Sequence, residues 1–161
     1  MGKLGVIGVG NTLKGDDGIG VKLVNRLDNE GFPDSVEFQE VGTSGLNIVH
    51  HLKDFDRVLI IDAIKHEGES GTSIFFRPDE VNESVKVRST HDANLLEAIE
   101  LSETLGERPE EIVIMGIIPE DMSLRDGLSP LMKEKLPELE ERLRERINSL
   151  LNQEGGGSPS S

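Results

Sequence analysis

The chain contains no cysteine, no tryptophan and no tyrosine, and five phenylalanines are its whole aromatic complement. Without cysteine there is no disulfide, no thiolate metal site and no cysteine nucleophile, which suits a reducing cytoplasm. With so few rings, the core has to be aliphatic. Basic residues are scarce too: 17 Lys plus Arg face 31 Asp plus Glu, for a net charge of −14. Nucleic-acid binding rests on clustered cations, so this balance argues against a nucleic-acid partner. It disfavours an anionic membrane surface equally, and no apolar run approaches the roughly 18 residues of a spanning helix. Met1-Gly2-Lys3-Leu4 leads straight into an apolar run, without the h-region and cleavage site of a signal peptide. These features predict a cytoplasmic protein with neither nucleic acid nor membrane as partner.

What the sequence does have is alternation. Strand-like and helix-like segments succeed one another, which predicts one α/β domain over residues 1–153. The Gly/Ser/Pro stretch 154–161 reads as a disordered tail. Strands are expected at about 3–9, 36–41 (near an edge), 57–63 and 111–117. The run Val58-Leu59-Ile60-Ile61 followed by Asp62 marks the third of these as central and buried. Residues 72–77 form another strand, expected antiparallel to it because the connection is short and lacks a helix. Apolar residues at 3–4 spacing predict a helix over about 17–29 (Ile19, Leu23, Val24, Leu27) and a short one through Ile48, Val49 and Leu52. Ser89-Thr90-His91-Asp92 opens a third. Ser129-Pro130 supplies an N-cap and first-turn proline for a long fourth, which Pro137 should kink or restart.

One stretch organises the rest: Gly8-Val9-Gly10-Asn11-Thr12-Leu13-Lys14-Gly15-Asp16-Asp17-Gly18-Ile19-Gly20. A glycine-rich turn between strand and helix is the usual phosphate cradle. Here Asp16-Asp17 stand where a P-loop needs Lys-Ser/Thr, and Leu13 stands where a dinucleotide fingerprint needs glycine. Two carboxylates at the mouth of the loop would repel a phosphate and attract a cation or a proton. Sites in parallel α/β sheets gather beyond the C-terminal strand ends, where Asp17, Asp62 and His91 are expected. Singly, each also has a structural use: Asp17 and His91 as helix-start residues, Asp62 as a cap of the next turn. Together, two carboxylates and an imidazole make a divalent metal site with open positions. His50 and His51 are neighbours that diverge around a helix, and His66 lies in a charged, solvated turn. Ser44, Asp62 and His91 also follow the Ser-Asp-His order of α/β-hydrolases. The elbow pattern fails there, since Leu46 occupies the position of its second glycine.

The opening motif resembles the N-terminal signature of the [NiFe]-hydrogenase maturation endopeptidases. The resemblance continues through Gly42-Thr43-Ser44-Gly45, Ile60-Ile61-Asp62-Ala63, His91, Gly116-Ile117-Ile118-Pro119-Glu120 and Gly127-Leu128-Ser129-Pro130, in order. It implies a three-layer α/β/α fold, with helices on both faces of a twisted, mostly parallel, mixed five-stranded sheet. It implies a cytoplasmic, monomeric endopeptidase that removes a C-terminal extension from the hydrogenase large-subunit precursor after nickel insertion. The family's catalytic and metal-binding positions fall on Asp17, Asp62 and His91, with aspartate at 17 where some members carry glutamate. Nickel would come with the substrate, and zinc or cadmium would substitute in isolation. Within this reading Gly42, Thr43, Ser44 and Gly45 would contact the substrate tail, and Asp16 would touch the substrate or orient a ligand or water; its simpler use is as a helix-start charge. The competing class is a metallocentre-assembly chaperone that senses nickel without cutting.

Overall fold

The computed structural model describes residues 2–43, 45–81, 88, 89 and 95–156. In chain order the elements are β1 (Leu4–Val9), α1 (Ile19–Leu27), β2 (Val36–Val41), α2 (Gly45–Leu52) and β3 (Arg57–Lys65). They continue with β4 (Ser73–Phe76), β5 (Arg88–Ser89), α3 (Leu95–Thr104), β6 (Glu111–Ile117) and α4 (Pro130–Gly156). A 3₁₀ turn, Gly15–Gly18, leads into α1, and another, Asp28–Glu30, follows it.

The sheet runs β2-β1-β3-β6-β4, with the first four strands parallel and β4 antiparallel on the outer edge of β6. The two-residue β5 pairs antiparallel with the end of β3, at Ile64 and Lys65. This is the expected mixed, mostly parallel five-stranded sheet, with β2 at one edge and β3 in the middle. The interior strands β1, β3 and β6 are buried almost throughout, because each face is covered. Residues 4 and 6 of β1, with 59 and 61 of β3, meet α1 and α4; residues 7 and 9, with 58 and 60, meet α2 and α3. Alternation along each strand thus feeds two aliphatic cores. Six side chains of α4, from Met132 to Leu150, enter the first of them. Burying each contributes roughly 1.5–3 kcal/mol.

Three expectations need correction. β4 does run opposite to β3, but β6 stands between them. The continuous pairing of β3 with β6, from Arg57–Glu111 to Ala63–Ile117, occupies that edge of β3 and leaves β4 the outside. Of the two outcomes expected at Pro137, a kink or a restart, the restart is excluded, because α4 runs as one helix across it. Its ring is exposed, and so is Lys133, whose carbonyl loses its intrahelical donor on the water side. The same helix extends to Gly156, into the stretch read as tail. Much of the segment from 82 to 94, including the expected helix start at Thr90, His91 and Asp92, lies outside the described residues.

Candidate functional site

Because β1, β2, β3 and β6 are parallel, their C-terminal ends share one rim of the sheet. Loops 10–18, 42–44 and 118–129 leave from that rim. Two glycines let α1 start directly on top of it. A Cβ on Gly20 would run into the carbonyl oxygen of Ile61 in β3, and one on Gly8 into the carbonyl of Gly20. Asp17 precedes Gly20 by one helical turn, and Asp62 follows Ile61. The register Gly8–Ile61 sets Asp62 level with Val9, the last residue of β1, three residues before the end of β3 and next to the loop that carries Asp17.

Both acids are fully buried. The Asn11 amide donates to Asp17 Oδ2 at 2.9 Å, which folds the loop back over its own carboxylate. Asp62 pairs in register with Gly116, over which the Ile64 side chain packs where a Cβ would stand. By strand alternation Asp62 shares its face with Ile60 and Ile64, on the α2–α3 side of the sheet. His91, the expected third donor, lies outside the described residues, as does Ser44. Among the described residues no three His, Asp or Glu side chains converge into a metal-binding group. The chemistry of the two placed donors suits a divalent cation. Ionised carboxylates removed from water are costly without a positive partner or a proton. Gly42 is exposed, with the Asn47 side-chain amide 3.8 Å from where a Cβ would be, and Thr43 is half-buried beside it. Gly45 opens α2. His50 is exposed, His51 bonds Gln39 of β2, and His66 is half-buried.

Asp16 differs from its neighbour in its partners. Its side chain is fully buried and takes four donors. Oδ2 accepts the amides of Glu120 (2.9 Å) and Asp121 (3.0 Å) and the hydroxyl of Ser129 (2.8 Å). Oδ1 accepts the Ser129 amide at 2.7 Å. A carboxylate so engaged, away from solvent, has no contact to offer a substrate. The Ser129 hydroxyl also accepts the Met132 amide, so it caps α4 as the sequence predicts. Backbone bonds extend the join: Asp16 N–H to Asp121 O, Gly15 N–H to Arg125 O, and Arg125 N–H to Leu13 O. Gly15 adopts φ +57°, a left-handed conformation that favours glycine in this tight loop. Lys14 and Arg125 form a parallel bridge, which sets Leu13 and Leu124 in neighbouring register, 63% and 85% exposed. On the same segment the amide and hydroxyl of Ser123, with Arg125, hold the Asp121 carboxyl below the usual carboxylate range. Sequence reading missed this join, which links residues more than a hundred positions apart. The one local signal was Ser129-Pro130, a helix cap.

The three-layer α/β/α fold is that of a class of solved endopeptidases. The hydrogenase maturating endopeptidase HybD from Escherichia coli superposes with a TM-score of 0.77 at 28% identity, over 91% of this chain and 93% of that one. The [NiFe] hydrogenase maturation protease HycI from Thermococcus kodakarensis superposes with a TM-score of 0.71, also at 28% identity, over 89% and 90% of the two chains. In sequence, the hydrogenase 2 maturation protease of Escherichia coli is 32% identical over 142 residues, 86% of this chain and 87% of the relative. The hydrogenase expression/formation protein HupD of Bradyrhizobium diazoefficiens is 33% identical over 135 residues, 81% of this chain and 70% of that one. The family described as hydrogenase maturation protease matches residues 21–146. The chain belongs to the hydrogenase maturation protease family.

Proposed function

We propose that the protein is an endopeptidase that removes the C-terminal extension of a [NiFe]-hydrogenase large-subunit precursor after nickel insertion. It reads the substrate-bound nickel through Asp17, Asp62 and His91, with zinc or cadmium as stand-ins for the isolated protein. It acts as a monomer in the cytoplasm, where such a precursor would be found. Among the described residues no helix is long and apolar enough to cross a membrane.

The observation that supports this reading is the joint burial of Asp17 and Asp62, brought from separate segments to one rim of the sheet. Carboxylate and imidazole donors suit a borderline divalent ion. Nickel held by the precursor would supply Lewis acidity to the scissile carbonyl. The two carboxylates would hold it from the protease side, and one with an oxygen to spare would act as base toward a water. Exposed Gly42 and half-buried Thr43 would lie along the substrate tail.

The test is cleavage of nickel-loaded and nickel-free precursor by wild type and by Asp17→Ala, Asp62→Ala and His91→Ala, each checked for folding by circular dichroism. Wild type should cut the loaded form alone, and each folded variant should lose at least about a hundredfold in rate, as loss of a catalytic group does. Folded variants that still cut at the wild-type rate would refute the site. A stable complex with uncut, loaded precursor would move the protein to the chaperone class.

A further inference from the structure

We infer that Asp16 is a positioning residue: its buried carboxylate fixes Asp17 relative to Asp62 by tying the loop before α1 to the segment that follows β6. The inference rests on the reading of Asp17 and Asp62 as the working carboxylates.

The connection can be followed residue by residue. Asp17 is bonded covalently to Asp16. The Asp16 side chain holds the amides of Glu120 and Asp121, and its own amide donates to Asp121 O at 2.8 Å. Those residues continue the strand in which Gly116 faces Asp62. One path from the first candidate acid to the second therefore runs through this carboxylate, beside the backbone bonds that join the same two loops. That carboxylate also takes both the amide and the hydroxyl of Ser129, at the N-terminus of α4. All four partners donate, so the site demands an acceptor at each oxygen. Ionised aspartate is acceptor-only, whereas asparagine would turn an NH₂ toward at least one N–H. Its four donors converge beside the N-terminus of α4, a helix of 27 residues. A helix-start acid with no other task would face water. This one is fully buried.

Three variants test it: Asp16→Asn, Ser129→Ala, and Ser129→Thr, which keeps the hydroxyl. Cleavage kinetics are measured on nickel-loaded precursor, and amide hydrogen exchange on the free protein. The Asn11 amide, bonded to Asp17 Oδ2, reports the place of Asp17 without substrate. Amides of Ile60 in β3 report global opening. In Asp16→Asn, kcat should fall at least tenfold with KM within twofold of wild type. Asn11 exchange should quicken at least tenfold while Ile60 stays unchanged. Ser129→Ala should lose several-fold in kcat and Ser129→Thr should recover it. Asn11 and Ile60 quickening together, with wild-type kcat for the folded fraction, would overturn the inference and leave Asp16 a stability residue. A raised KM with unchanged kcat would also overturn it. Should Asp16→Asn fail to fold, the Ser129 pair decides: wild-type kcat in Ser129→Ala counts against the inference, and loss restored by threonine counts for it. Asp17→Asn and Asp62→Asn run alongside. Full activity in both would sink the reading of the site, while Asn11 exchange would still show whether Asp16 holds Asp17.

Discussion

At the scale of single residues, the site depends as much on atoms that are missing as on the acids themselves. Gly20 and Gly8 let the start of α1 rest on the carbonyl ends of β1 and β3. A methyl at position 20 meets backbone oxygen, which cannot rotate away, so the helix has to lift. Gly20→Ala is expected to cost about 1–3 kcal/mol, as overpacking does. A lower urea midpoint at unchanged m-value would check it, and cleavage should fall as Asp17 moves with the helix. An unchanged midpoint would mean the loop has slack that the packing does not show. The sequence made some of this legible and hid the rest for a physical reason. Asp62 could be picked out because a run of four aliphatics ending in an acid is a buried strand reaching its rim. Asp17 could be picked out because a glycine-rich turn with acids in it cannot be a phosphate loop. Asp16 looked like a helix-start charge, since its four partners, on Glu120, Asp121 and Ser129, are distant in sequence and three of them are backbone amides. No side-chain pattern announces a backbone donor.

At the scale of elements, the long helix α4 carries a proline that its surroundings tolerate rather than need. Pro137 is exposed and makes no entry into the core, while Leu136 and Leu139 on either side are buried. Proline in a helix interior is about 3 kcal/mol worse than alanine, and part of that cost should be recoverable. Pro137→Ala is therefore expected to stabilise the protein by about 1–2 kcal/mol, read from the urea midpoint. Loss of stability would show that the ring shapes the helix after all. Periodicity revealed α1 and α4 because a 3–4 spacing is a property of the segment itself. The place of β4 was not legible in the same way. Which strand it pairs with is decided by the match between β3 and β6, which no local pattern encodes. The zipped loops 11–18 and 118–129 belong here too, because their bonds hold the site's floor and also present Leu13 and Leu124 to solvent.

At the scale of the whole molecule, the net charge of −14 means that the folded state works against its own repulsion. Raising salt from low ionic strength should raise the melting temperature as the Debye length shortens. A few pairs oppose the repulsion. Arg144 donates to both oxygens of Glu30, at 2.8 and 2.7 Å, and ties α4 to the turn after α1. Those hydrogen bonds, against a smaller opposing effect of burial, lower the Glu30 pKa from its ordinary value of 4.5. The folded value is the lower one, so this pair's stabilisation is present above about pH 4.5 and is lost as pH falls through the folded value. Across that acid range, Arg144→Gln should show a shallower fall in melting temperature than wild type, with the two curves converging at low pH. Parallel curves would mean the pair contributes nothing measurable, as exposed pairs often do. One further consequence follows from the parallel sheet. The Lys3 amide is bonded to Asp56, and the Leu150 carbonyl to Arg57 at the start of β3, so both lie at the rim opposite the acids. A six-residue strand separates the two rims by about 20 Å. A dye, a bead or a chip surface attached near Lys3 or Leu150 would therefore present the working end outward, ready for single-molecule capture of a large partner.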